Sequence, residues 1–182
     1  ETTSADYSLK MTDPDGRIAL GAGDTAGDVE VHGNVVADGE VFLSAPGGFV
    51  LQYSGVVNGS RVDMEAGASI VGLDANGDEV FFGTSTGVIN AQSLGNGDII
   101  VRNLPWGDTG HLDVGYLRTL GGAIHLEQFY SETGGEIIVS GDVTSGDVDQ
   151  GVDGGSIKIA GANGLKILAE VSTLAGEGGS VT

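Results

Sequence analysis

The chain has 182 residues, with 34 glycines, three prolines and no cysteine, and its 26 acidic against 7 basic residues give a formal charge of −19. This composition excludes a collagen, because no Gly-X-Y period exists, and a nucleic-acid surface, which needs clustered Lys and Arg. It also excludes a disordered linker, since 40% of the residues are hydrophobic and most of these are Val, Ile and Leu in alternation.

Residues 1–17 read as a polar, irregular segment with turn chemistry at Asp13-Pro14-Asp15-Gly16. From Ile18 to residue 182, short strands alternate with turns. The pairs Val29/Val31, Val41/Leu43, Val62/Met64, Val80/Phe82 and Ile99/Val101 each put two apolar side chains on one strand face. Leu112/Val114, Ile124/Leu126, Ile137/Val139 and Ile157/Ile159 continue the pattern. Asn34, Asp38-Gly39, Pro46-Gly47-Gly48, Asn58-Gly59, Asn76-Gly77, Asn96-Gly97 and Asn163-Gly164 separate these pairs as turns. No stretch of ten residues carries a 3.6-residue apolar period without glycine, so no helix is expected. No apolar run is long enough for a membrane-spanning helix.

A Gly-led strand phrase returns along the chain: Gly27-Asp-Val-Glu-Val, Gly97-Asp-Ile-Ile-Val, Gly135-Glu-Ile-Ile-Val, Gly155-Ser-Ile-Lys-Ile. Taking one glycine anchor per turn, Gly39, Gly59, Gly77, Gly97, Gly135, Gly155 and Gly179 stand 20, 18, 20, 38, 20 and 24 residues apart, and a period of about 20 residues is the mark of a stacked solenoid. Within residues 155–182, three short strands precede the next Gly-Gly restart, so each turn has three faces. The expectation is an all-β parallel β-helix of roughly eight turns, rising about 4.8 Å per turn. The Asn-Gly turns also suit hairpins, and an antiparallel β-sandwich is the alternative. Residues 102–120 depart from the repeat and read as an interrupting loop, with Pro105, Trp106, His111 and Tyr116.

Gly154-Gly155-Ser156-Ile157-Lys158-Ile159, the restart at Gly178-Gly179-Ser180-Val181, and Gly141-Asp-Val-Thr-Ser-Gly-Asp-Val148 resemble repeats of filamentous-haemagglutinin-like large exoproteins. So do Gly87–Ala91 and Leu112–Leu120 followed by Gly121-Gly122-Ala123-Ile124. The resemblance covers residues 27–182. It implies a secreted β-helical rod used in adhesion, biofilm contact or toxin display, and it carries no catalytic residues. Asp13-Pro14-Asp15-Gly16 is similar to the Asn-Pro-Asn-Gly phrase of the family's secretion domain, with Asp for both Asn residues.

Four groups of residues are candidates for chemistry or binding. Asp74, Asn76, Asp78 and Glu79 alternate oxygen ligands around Gly77, as a hard cation such as calcium would use, and Asp13 and Asp15 form a second such set. An acidic turn between strands is the plainer reading of both, and no cofactor is required. Trp106 and Tyr116 could stack on a surface glycan. Phe42, Phe81, Ile100 and Ile138 alternate with inward residues and so point outward, where a stripe of them would make an assembly surface together with Val181 at the last strand. Asp142, Asp147, Asp149 and Asp153 hold carboxylates for glycoside hydrolysis, but an acidic turn explains them more simply. His32, His111 and His125 share no catalytic or metal spacing.

The functional expectation is an extracellular, cell-surface, non-enzymatic rod or filament subunit. Its partners would be further copies of itself or the rest of a longer exoprotein, with no nucleic acid and no membrane insertion. A carbohydrate-binding module is the alternative, and a polysaccharide-degrading β-helix the third reading.

Overall fold

The computed structural model describes residues 9–11, 16–23, 27–105, 110–129, 135–174 and 180–182. They form one solenoid of parallel strands in about six turns, with no helix among the described residues. Each turn passes through three faces. The first face stacks Ile18–Gly21, Glu40–Ala45, residues 61–66, 88–93 and 116–119, Val143–Ser145 and Val171–Thr173. The second stacks Val29–His32, Val50–Ser54, Ile70–Leu73, Ile99–Leu104, Ile124–Gln128 and Ile157–Gly161, and Val181 bridges Ile157 beyond it. The third includes Leu9–Met11, Val35–Ala37, the start of Val57–Ala66, Ile137–Val139 and Leu165–Ile167.

Register explains the core. Because partners stack residue on residue, Ile18, Val41, Val62, Ile89 and Val114 share one interior column, and Ile70, Ile99, Ile124 and Ile157 another. All of these are buried. β-Branched side chains repeat there because they fill a pleated interior with little rotamer entropy to lose.

Expectation and structure differ at four points. The solenoid has about six turns rather than eight, because many turns are longer than 20 residues: they run from 19 residues (Phe82 to Val101) to 33 (Ile124 to Ile157). Glycine-led phrases open different faces, Gly97 the second and Gly135 the third, so they do not count turns. Within the segment expected to be irregular, Leu9–Met11 is a strand paired with Val35–Ala37. The interruption near residues 102–120 is shorter, since Ile99–Leu104 and Leu112–Thr119 are both strands of the stack. Val80 and Phe82 do not share a face: Phe82 is buried, whereas Val80 lies exposed on a hairpin pairing antiparallel with Gly72. That hairpin is the one antiparallel ladder among the described strands, and a sandwich is not needed.

The corner entering the second face is built from glycine because turns touch there. A Cβ at Gly48 would run into the Gly27 carbonyl, one at Gly122 into Gly97, and one at Gly155 into Gly122. Buried hydroxyls fasten this corner. Thr119 Oγ1 donates to the Gly97 carbonyl at 2.8 Å and accepts the Gly122 N–H at 3.1 Å. One turn on, Ser145 Oγ donates to the Gly122 carbonyl at 2.6 Å and accepts the Gly155 N–H at 2.8 Å.

Candidate functional site

The acidic turn residues are largely structural acceptors. Asp28 Oδ1 takes the Phe49 N–H at 2.8 Å and Asp98 Oδ1 the Ala123 N–H at 2.7 Å, each tying one turn to the next. In the Asp74–Glu79 turn, Asp74 Oδ1 accepts the N–H groups of Asn76 at 2.8 Å and Asp78 at 3.0 Å. Those backbone bonds hold the Asp74 carboxyl below its usual range. Gly77 turns the chain with φ +84°. Among the described residues, no three His, Cys, Asp or Glu side chains converge as a cation site would require. Asp13, Asp15 and Trp106 lie outside the described residues. Asp142 pairs with Arg118 at 3.5 Å, and Asp147 caps Gln150.

Tyr116 sits half-buried on the outside of the first face, 5.5 Å from the Arg118 guanidinium. Burial, then the nearby Asp63 charge, pushes its phenol up. It continues a polar ladder in which Arg61 forks onto Asp63 and Asn90 Nδ2 donates to Asp63 Oδ1 at 2.7 Å.

The outward apolar residues do not make one stripe. Phe42 lies on the first face, Ile100 on the second and Ile138 on the third, and all three are half-buried. Phe81 follows the hairpin and packs against Arg102 and His125 on the second face. Val181 is exposed on the last rung.

A constellation of charged and aromatic side chains lies on the outer second face. Register stacks Ile100, His125 and Lys158 in one column and Arg102, Glu127 and Ala160 in the next. The Arg102 guanidinium lies 3.9 Å from the Phe81 ring centroid and 5.1 Å from that of Phe129. It donates Nε and Nη2 to Glu127 Oε2 at 3.3 and 3.0 Å. His125 Nε2 meets Glu127 Oε1 at 3.0 Å, and Lys158 Nζ stands 3.6 Å from the same oxygen. Phe81 packs edge-on to His125 at 4.7 Å. Arg102, Glu127, Gln128 and Phe129 line a depression of about 70 Å³.

No protein-family model, curated protein or solved structure matches the chain.

Burial pushes the Glu127 carboxyl up, but the Arg102 hydrogen bond and the charges of His125 and Arg102 pull it down, and the pull prevails. Sequence reading missed this constellation because its cross-rung partners are far apart in the chain, 25 residues from Arg102 to Glu127 and 33 from His125 to Lys158. Only the register brings them together. The available signal was the outward phase of His125 between Ile124 and Leu126.

Proposed function

We propose that the chain is a structural module of an extracellular, non-enzymatic adhesive rod, extended by rung-on-rung stacking at its C-terminal end. The observation that carries this reading is the contrast between its end rungs. In the first rung, Ile18 is 4% exposed and Val29 6%. In the last, Leu165 is 41% exposed, Ile167 50% and Val181 49%. Apolar side chains that would face a further turn stand open to solvent, beside strand backbone ready to pair. The covering group is a parallel strand with apolar residues two apart, supplied by a second copy or by another part of a longer exoprotein. The likeness to large exoproteins supports the extracellular placement, and the −19 charge suits a β-rich rod that must resist lateral aggregation.

Light scattering and negative-stain microscopy of the chain beside the Leu165→Ser/Ile167→Ser double variant test the reading. Concentration-dependent fibres lost in the variant identify a second copy as the covering group. Single rods about 30 Å long that bind a synthetic strand with apolar residues two apart, in the parent but not in the variant, identify another exoprotein segment. Single rods that bind no such strand overturn end stacking.

A further inference from the structure

We propose that the outer second face around Arg102 and Phe129 binds a single carboxylated pyranose, a uronic-acid residue ending or branching a glycan. This site lies on the flank of the solenoid and does not depend on end stacking.

The argument begins with charge. Of the six side chains on the outward grid, Ile100, His125, Lys158, Arg102, Glu127 and Ala160, two are permanent cations and one is a carboxylate. The grid is therefore +1 (two minus one) before His125 gains a proton, on a chain whose total is −19. Glu127 engages Nε and Nη2 of Arg102, and a guanidinium has five N–H donors, so donors remain for a second oxyanion. At 3.6 Å, Lys158 is only loosely tied to Glu127, and its side chain is 52% exposed. An incoming carboxylate would gain charge-assisted hydrogen bonds from both.

The rest of the site fits a sugar ring. Phe129 is 48% exposed beside the depression, offering an apolar platform for the C–H face of a pyranose. Arg102 is held by contacts with the Phe81 and Phe129 rings and by its hydrogen bonds to Glu127, so less side-chain entropy remains to be lost on binding. The surrounding acidity selects for one charged sugar rather than a polyuronate. At about 0.15 M salt a neighbouring charge is felt over about 8 Å, so a single carboxylate sees mainly the grid while a long polyanion meets the acidic remainder.

The test is an NMR titration of the whole chain, isotope-labelled, in about 0.15 M salt. The probes are a methyl galacturonoside, the neutral methyl galactoside and inorganic phosphate. The uronoside should shift the resonances of residues 100–102, 125–129 and 158, and bind at least about tenfold more tightly than the galactoside, a difference of about 1.4 kcal/mol. Phe129→Ala and Lys158→Gln should each weaken it severalfold without altering the circular dichroism. Equal binding of the neutral sugar, equal displacement by phosphate, or no shift at tens of millimolar uronoside would each overturn the proposal.

Discussion

Gln52 clasps Gly83 from both sides, accepting its N–H on Oε1 at 2.5 Å and donating Nε2 to its carbonyl at 3.0 Å. The two stand 31 residues apart and on either side of the hairpin excursion. The chain leaves the second face after Gly72 and returns at Phe82; Gly83 pairs with Arg102 on one side, and on the Gln52 side it lacks the strand neighbour that a regular turn would supply. An almost buried side-chain amide takes that neighbour's place.

Gln52→Ala should therefore cost about 2 kcal/mol, because two backbone groups lose their partners. The same change should open the hairpin to proteolysis near residues 74–80 before the rest of the solenoid unfolds. Thermal melts and limited digestion with mass mapping read the two effects. A variant as stable and protease-resistant as the parent would show that the clasp contributes nothing.

A second amide governs the interior. Asn103 is fully buried; its Oδ1 accepts from Thr84 Oγ1 at 2.9 Å and from the Thr86 N–H at 3.0 Å, while Nδ2 donates to the Thr86 carbonyl at 3.1 Å. Asn103→Ala would orphan three polar groups and leave a cavity, at about 3 kcal/mol. Asn103→Leu, which fills the space but satisfies none of them, should rescue less than half of that loss. Chemical denaturation of both variants decides between packing and hydrogen bonding as the main contribution of this side chain.

Those two amides mark the boundary of what the chain reveals on inspection. Alternation of Val, Ile and Leu announced the strands and their inward sides, and turn residues announced the corners. Both are local signals. Gln52 and Asn103 sit at inward positions of such strands, yet nothing nearby in sequence says which backbone group each will meet. The same limit hid the Arg102–Glu127 cluster and miscounted the turns. Contacts between rungs depend on how many residues each turn spends in loops, and the excursions at residues 73–81 and 146–153 alter that number. Val80 was misread for this reason: alternation continues from Val80 to Phe82 although the chain re-enters the stack between them.

Glycine substitutions separate three physical roles. Gly122→Ala forces a methyl into the Gly97 carbonyl of the adjoining turn and should cost about 3 kcal/mol by prising two rungs apart. Gly77→Ala meets no neighbour but must hold φ +84°, a strain of about 1 kcal/mol. Gly23→Ala meets no neighbour among the described residues and needs no left-handed backbone, so loss of chain entropy in the unfolded state should stabilise by about 0.5 kcal/mol. Denaturant midpoints should order the variants with Gly23→Ala highest and Gly122→Ala lowest. Any other order would show that rung contact is not what selects glycine at the corner.

Glu127 gives the cluster a pH signature. Its carboxyl is held below the usual range in the folded chain, so folding favours the ionised form. A group with a lowered folded pKa contributes stability that is present above its unfolded value, near 4.3 to 4.5, and is lost as pH falls through the folded value. Glu127→Gln should therefore destabilise at pH 7, by about 1 kcal/mol for partly exposed pairs, and leave the Arg102 and Lys158 cations without their shared carboxylate. The gap between parent and variant should narrow on acidification below pH 4 and in about 1 M salt, where screening acts over about 3 Å. Stability curves for both proteins at several pH values supply the check. A gap that stays constant from neutral to acid pH would mean that Glu127 acts through packing alone, and that its carboxylate does not hold Arg102 in place against the Phe81 and Phe129 rings.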